Sequence, residues 1–272
     1  MNRIIKQLIL AILFLPTPSA NAQCGCTNTA FNAGEVLQYD LYFNWKFIWV
    51  GAGTATMSTY SHFWEGKPAL KSTLLTKTSA KLDKFFMMRD TLQSIVTEDI
   101  VPLYYKKAAN EGGKYYVDQV WYSYADGKTH LRQQYQNRRG EVTKGERDCE
   151  DCVYDMMSMM LRARSFDASN FKKGDKLCFP MADGDNVENI TLIYRGKKNF
   201  KMRSTKIVYR CLIFSFVEYE GQKEKEIITF YITDDENHIP VRLDMFLKFG
   251  TAKAYLSGSE KLKHACTSIV DD

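Results

Sequence analysis

Apolar and polar positions alternate most clearly over residues 37–49. The apolar members of this pattern are Leu37, Tyr39, Leu41, Phe43, Trp45, Phe47 and Trp49, and the polar positions between them are Gln38, Asp40, Asn44 and Lys46. A period of two over this length is typical of a half-buried strand, or of two strands that meet at a bend. Gly51-Ala52-Gly53 then interrupts the pattern and residues 54–60 begin another strand, so this region predicts a hairpin.

Short strand patterns separated by turn residues fill most of the remaining chain. Gly112-Gly113 and Asp126-Gly127 mark two of the turns, and Asp-Gly is a strong hairpin signal. The later predicted strands span residues 70–78, 91–97, 103–107, 115–124, 129–135, 189–194, 206–219, 226–233, 241–247 and 252–256. This succession predicts a mostly β protein, either an antiparallel sandwich or an open, curled barrel, with one central α-helix.

The central helix is predicted over residues 154–164. Its apolar positions follow the one, three and four spacing of a buried helix face, at Val153, Met156, Met157, Met160 and Leu161. Asp155 suits the positive end of the helix dipole, and Arg162 and Arg164 suit the negative end. A methionine-rich face is typical of a packed core and also of an adaptable binding surface, and both interpretations stay open.

The first 22 residues have the pattern of a secretory signal. A positive start at Arg3 and Lys6 precedes an apolar run over 8–15, and an A-x-A cleavage site follows at 20–22. The run is too short to cross a bilayer. We therefore expect an exported protein of the periplasm or cell envelope, soluble after cleavage near Ala22. A lipid anchor at Cys24 is not expected, because Gln23 is larger than the residue that lipidation requires before the cysteine.

These patterns predict the domain organisation. We expect a removed signal over 1–22, a short N-terminal segment over 23–30 and a single β-rich domain over 31–272. Two β subdomains that meet at the helix are the alternative.

Composition and charge exclude several classes of function. The 272 residues are 45% hydrophobic and 25% charged, and removal of Arg3 and Lys6 with the signal lowers the formal charge from +5 to +3. The basic residues are scattered, so no nucleic-acid partner is expected. The four histidines are dispersed, and the chain carries neither a dinucleotide-binding glycine motif nor a hydrolase nucleophile motif. We expect no cofactor, no metal site and no recognisable catalytic residue.

Seven cysteines remain after the signal, and an exported chain meets an oxidising compartment. Cys149 and Cys152 flank the predicted start of the helix among carboxylates that disfavour a reactive thiolate. The pattern predicts a structural Cys149–Cys152 disulfide. A redox-active dithiol, a thiolate metal site and a bond to Cys24 or Cys26 are the alternatives. The odd count leaves at least one cysteine free, and we expect it to be Cys211, within a predicted strand.

Three segments resemble a bacterial exported family catalogued as domain of unknown function 3108. They are residues 31–39 with 51–53, the helix start at 155–158 with Arg164, and the closing residues 231–235, 239–242 and 249–250. The likeness extends over about 31–257. It departs at Tyr231, where the family would have Trp, and at the Cys149–Cys152 segment. The family carries no settled activity, so the resemblance implies an exported β-rich domain and no reaction.

The aromatic wealth of the first strand suggests a ligand site. Trp45, Phe47 and Trp49 form either a core stripe or an apolar surface for a lipid tail, a peptide or a glycan. We expect such a cleft between sheet and helix, with Met156 and Met160 on the helix side. The resemblance implies that Asp155, Arg164 and Arg242 form its polar end, or else a buried ion pair that sets the helix on the sheet. The predicted function is an exported binding or scaffolding protein; the alternative is a glycan- or lipid-processing enzyme.

Overall fold

The computed structural model of the chain describes residues 24–45, 48–247 and 250–271. The predicted signal and its cleavage site lie outside these ranges, as does Phe47. Fifteen strands and two helices occur within the described residues.

The first eight strands form an antiparallel meander. Their bounds are β1 Val36–Trp45, β2 Ile48–Trp64, β3 Lys67–Thr78, β4 Met88–Val96, β5 Pro102–Glu111, β6 Lys114–Ala125, β7 Lys128–Gln136 and β8 Val142–Cys149. The short helix α1, Ala80–Asp83, connects β3 to β4. The hairpin predicted over residues 37–60 is present as β1 and β2, but its turn was misplaced: Gly51-Ala52-Gly53 lie within β2, and the strands pair from Val36 opposite Ser58 to Trp45 opposite Ile48, with one register shift after Leu41.

A second meander follows the central helix α2, Met156–Arg164. Its strands are β9 Lys176–Asp183, β10 Asn186–Lys201, β11 Val208–Glu220, β12 Lys223–Thr233, β13 Pro240–Leu247, β14 Gly250–Glu260 and β15 Ile269–Val270. β14 pairs with β1, so both meanders form one continuous sheet whose outermost strands are β8 and β9; β15 pairs with β11.

The sheet curls around α2. Ser94 of β4 donates a hydrogen bond to Asp155 at the start of the helix, while Tyr154 forms a bridge with Met181 of β9. These two strands lie far apart in the strand order, so both can reach α2 only because the sheet bends. The predicted fold class is confirmed: the protein is mostly β, with an antiparallel sheet that curls around one central helix. The face that contacts α2 is called the inner face below, and the opposite one the outer face.

Side chains and backbone join the two ends of the curled sheet. Gln133 of β7 donates hydrogen bonds to the carbonyl oxygens of Gly184 and Asn186, at the β9–β10 turn. The backbone N–H of Gly184 in turn donates to Asp118 of β6 at 3.0 Å. The second meander is therefore held against the first at both ends of its strand order.

The prediction of a Cys149–Cys152 disulfide is wrong. Cys152 is bonded to Cys24 across 128 residues, and Cys149 is free. Cys149 is the last residue of β8 and lies opposite Thr129, whereas Cys152 follows a bend that directs it to the N-terminal segment. The other free cysteines are Cys26, Cys178, Cys211 and Cys266, of which Cys211 is fully buried.

Candidate functional site

The residues predicted to form one cleft lie on both faces of the sheet. Asp155 and Arg164 are buried at the two ends of α2, on the inner face. Tyr39 and Leu41 belong to the core that contains Met157, so their neighbour Asp40 lies on the outer face. Arg242 lies opposite Tyr255, which lies opposite Asp40, so Arg242 is on the outer face too.

The inner face between sheet and helix is filled by core side chains. Met157, Leu161 and Val153 are fully buried there. Met160 is half-buried against the same core, whereas Met156, the first helical residue, is exposed. The methionine-rich side of α2 therefore packs as core, and an apolar ligand would have to displace it.

Asp155 serves as the N-cap of α2. Its Oδ1 accepts hydrogen bonds from the backbone N–H groups of Met157 and Ser158 at 2.9 Å and 2.8 Å, and Ser94 donates to its Oδ2 at 3.1 Å. Burial raises the pKa of Asp155 to about 6, although the bonds from Ser158 and Ser94 act in the opposite direction. These contacts fix the helix on β4 and leave the carboxylate no access to solvent.

A second buried polar group lies on the inner face at β6. Asp118 accepts one hydrogen bond, from Gly184, and its Oδ1 has no partner among the described residues. Lys107 of β5 is its cross-strand neighbour. Burial raises the pKa of Asp118 to about 6; the bond from Gly184 opposes this shift, and the charge of Asp183 adds to it.

The outer face carries a row of aromatic rings and cations. The guanidinium of Arg242 lies 4.6–5.8 Å from the ring centres of Phe200, Tyr231 and Tyr255. Two hydrogen bonds to Asp244 hold it in this cage. Further along the same face, the amine of Lys253 lies 4.4 Å from the ring centre of Trp49. The structure thus brings Trp49 and Arg242 to one surface. The side chain of Trp45 lies outside the described part of the structure.

A shallow groove of about 840 Å³ opens beside this surface, between α1 and the start of β2, where both faces contribute: Leu41 comes from the inner face, and Asp40 and Tyr42 come from the outer face. We call it the outer groove. Its apolar wall is formed by Leu41, Val50, Leu82 and Phe85. Tyr42 also lines it and contacts Tyr255 of the Arg242 cage edge to face, at 5.7 Å between ring centres. The groove and the aromatic row are therefore continuous.

The polar wall of the outer groove is basic. Lys77 and Lys81 line it together with Asp40, and both lysines are exposed. Neither ammonium group lies within salt-bridge distance of a carboxylate in the part of the chain that the structure describes. Such a groove can hold an apolar group and a negative charge at once.

Sequence reasoning missed this groove because one of its sides, at Lys81, Leu82 and Phe85, comes from a segment without a regular pattern. Residues 79–86 connect two predicted strands, and their four-residue helix is too short to give a periodicity. The usable signal was the sequence Lys81-Leu82-Asp83-Lys84-Phe85-Phe86, which combines two lysines with three apolar residues in a connecting loop.

Neither helix in the described ranges has the length and apolar content needed to cross a bilayer. Within the same ranges, no three His, Cys, Asp or Glu side chains converge on a point where a metal ion would fit.

Comparison with solved structures supports the fold. A β-barrel-like protein from Brucella abortus, of domain of unknown function DUF1849, superposes with a TM-score of 0.55 at 12% identity, over 85% of this chain and 99% of its own. A protein with a YmcC-like fold from Bacteroides fragilis covers 87% of this chain and 100% of its own, with a TM-score of 0.34 and 8% identity. The likeness to the Brucella abortus protein, at 12% identity, concerns architecture alone.

No functionally curated protein matches the chain significantly. A family model does match, over residues 38–257, which is most of the chain and includes β1, α2 and the closing strands. The resemblance seen in the sequence is thereby confirmed: the chain belongs to DUF3108, a family of proteins of unknown function.

Proposed function

We propose that this chain is an exported binding module that holds an amphiphilic ligand with an anionic end in the outer groove. The observation that carries the proposal is the pairing of an apolar wall, at Leu41, Val50 and Phe85, with two lysines in one groove of about 840 Å³. Ligand sites of this size combine apolar lining with a few polar groups that orient the ligand. The ammonium groups of Lys77 and Lys81 would bind a carboxylate or phosphate, and the wall would bind an acyl chain.

The outer groove is not the cleft that was predicted between the sheet and the helix. Met157 and Leu161 already fill that space. Displacing them would expose apolar core surface, at a free-energy cost of about 25 cal/mol for each Å². The outer groove needs no such displacement. Of the predicted ligand residues, none lines this groove; Arg242 is connected to it through Tyr255 and Tyr42, and Trp49 is the neighbour of Val50 in β2.

The alternative function, a glycan- or lipid-processing enzyme, finds less support in the geometry. Asp118 has the raised pKa that suits a general acid, but it is buried beneath the β9–β10 turn. Asp155 is equally buried and accepts bonds from the helix backbone. A substrate could reach neither carboxylate without opening the sheet.

The test is isothermal titration calorimetry of the purified exported protein with laurate below its critical micelle concentration. Dodecyl maltoside, an uncharged amphiphile with the same chain length, is titrated for comparison. We expect laurate to bind more tightly. The double variant Lys77→Glu/Lys81→Glu should weaken laurate binding by about tenfold, at about 0.7 kcal/mol for each of the two ion pairs, and leave maltoside binding unchanged. Val50→Asp should weaken the binding of both laurate and dodecyl maltoside, because it places a charge in the apolar wall.

A matched control is Lys67→Glu, which reverses an exposed lysine at the other end of β3, away from the groove. Its laurate affinity should equal that of the unaltered protein. Absence of laurate binding, or binding that none of the groove variants changes, would reject the outer groove as a ligand site.

A further inference from the structure

Large apolar side chains are concentrated at one end of the sheet. Phe85, Ile48 and Leu247 are 83%, 66% and 52% exposed, and Phe246, Trp49 and Val50 are exposed as well. We call these six residues the apolar tip. Scattered single apolar residues are normal on a protein surface, but a contiguous group of this kind marks an interaction site.

The apolar tip is contiguous because two hairpin ends touch. Ile48 lies opposite Trp45 at the end of the β1–β2 hairpin, and Leu247 lies opposite Gly250 at the end of the β13–β14 hairpin. A Cβ placed on Gly250 would lie 2.8 Å from the carbonyl oxygen of Asn44, so the two hairpin backbones are in direct contact. Glycine at this position permits that approach.

Phe85 extends the apolar tip to the other side of the outer groove. It lines the groove together with Val50, the third residue of β2. The exposed apolar surface therefore begins at Leu247, crosses the β1–β2 hairpin end and reaches the loop after α1. The proposed ligand groove opens within this surface.

Lysines surround the apolar tip. Lys77, Lys81 and Lys84 lie beside Phe85, and Lys253 lies over the ring of Trp49. Among the carboxylates of this end, Asp83 pairs with Arg89 and Asp244 pairs with Arg242, and Asp40 in the groove wall is outnumbered by Lys77 and Lys81. An apolar projection with a basic margin and a tryptophan is complementary to an anionic bilayer surface, where apolar groups enter the acyl boundary and lysines contact the headgroups.

The charge also decides between a membrane and a second copy of this chain. Two copies that joined through their apolar tips would bring lysines of the same sign together, and like charges across an interface are destabilising. We infer that the apolar tip docks on an anionic membrane surface and places the outer groove at the level of the lipid headgroups. The docking is inferred from the exposed apolar and basic side chains alone. That the membrane supplies the ligand of the outer groove rests on the proposed function.

The test is co-sedimentation of the purified exported protein with vesicles of phosphatidylcholine alone, or of phosphatidylcholine and phosphatidylglycerol in equal parts. We expect the anionic vesicles to bind at least about tenfold more protein, and binding to fall with added salt, at about 1 kcal/mol per lysine near the surface. The variant Ile48→Ser/Leu247→Ser should lose binding to the anionic vesicles. Brominated lipids should quench tryptophan fluorescence, and Trp49→Phe should reduce that quenching, whereas Trp121→Phe, away from this end of the sheet, should not.

Phe63→Ser is the matched control. Phe63 is 68% exposed and lies at the opposite end of β2, so the change removes a similar apolar side chain away from the apolar tip. It should bind vesicles like the unaltered protein. Equal binding to both vesicle types, or equal loss in the Phe63→Ser variant, would overturn the inference. A concentration-dependent dimer that Ile48→Ser/Leu247→Ser abolishes would assign the surface to self-association instead.

The two proposals fail separately. Laurate binding without vesicle binding rejects the docking and retains the ligand groove. Vesicle binding that depends on the apolar tip, without laurate binding, rejects the ligand groove and retains the docking.

Discussion

Arg164 at the end of α2 donates two hydrogen bonds to the carboxylate of Glu35, at 2.5 Å and 2.9 Å, and both side chains are almost wholly buried. Arg164 also donates to the carbonyl oxygen of Asn237, and its guanidinium lies over the ring of Phe31. The pair joins the residue just before β1 to the helix, so it sets the position of α2 relative to both meanders. The expected ion pair among Asp155, Arg164 and Arg242 does not form: Arg164 pairs with Glu35, Asp155 caps α2, and Arg242 pairs with Asp244 on the outer face.

Loss of one partner of this pair should destabilise the protein strongly. Glu35→Gln leaves the Arg164 guanidinium charged in an apolar site, and we expect the free energy of unfolding to fall by about 3–5 kcal/mol. The double variant Glu35→Gln/Arg164→Met should recover part of the loss, because it removes the uncompensated charge. Urea unfolding monitored by circular dichroism measures the free energy of unfolding of both variants.

The exposed pair of Lys225 and Glu220 provides the comparison for this experiment. Glu220→Gln should leave the unfolding midpoint unchanged, since solvent screens that pair. If Glu35→Gln were as harmless as Glu220→Gln, the buried pair would not set the helix on the sheet.

The Cys24–Cys152 disulfide should contribute to stability through the length of the loop that it closes. A bond across 128 residues restricts the unfolded chain, and its loss through Cys24→Ser should cost about 2–5 kcal/mol. Cys149→Ser should have little effect, because Cys149 is free. Peptide mapping of the exported protein by mass spectrometry identifies the bond directly. A Cys149–Cys152 linkage in that map, or an equal loss of stability in both variants, would contradict the pairing.

The strands that sequence analysis predicted are those with a buried side. The alternation at residues 37–45 follows β1 because one face of that strand meets the core, as Leu37 and Tyr39 show. β8 was missed because it is an outermost strand whose side chains are almost all exposed, so no apolar alternation marks it. Met156 was expected to be buried, but it is the first residue after the N-cap, where the helix has not yet met the core.

The alternation of apolar and polar residues along a strand could not predict the candidate site, because the site depends on which face of the sheet contacts the helix. Alternation separates two faces of a strand but does not say which of them contacts the helix, so Trp49 and Arg242 were assigned to the same cleft as Asp155. Similarly, the spacing of Cys149 and Cys152 is compatible with several pairings, and only the bend after β8 selects Cys24. The outer groove required the position of α1 over β1 and β2, which is a tertiary property.

Close packing of β2 against β3 should make Gly53 intolerant of any side chain. A Cβ on Gly53 would lie 2.0 Å from the carbonyl oxygen of Lys77 and 2.8 Å from the Cα of Thr78, both of them backbone atoms that cannot rotate away. We expect Gly53→Ala to destabilise the protein by about 1–3 kcal/mol. Gly51→Ala is the matched control in the same strand, because no atom lies within 4 Å of its Cβ position. Thermal unfolding should show a lower midpoint for the first variant only; equal midpoints would mean that the strands separate at no cost.

The buried carboxylate of Asp118 should make stability decrease with rising pH. Its pKa is about 6 in the folded protein and about 3.9 when unfolded, so the folded state binds the proton more tightly. Between about pH 4 and pH 6 the unfolded state therefore loses its proton first, and the free energy of unfolding falls by up to about 3 kcal/mol before it levels. Asp118→Asn keeps an oxygen for the Gly184 N–H and removes the charge. It should match the unaltered protein near pH 4 and exceed it in stability at pH 7, measured by urea unfolding at each pH. A variant that is less stable than the unaltered protein at pH 7 would show that the ionised carboxylate stabilises the fold, contrary to this account.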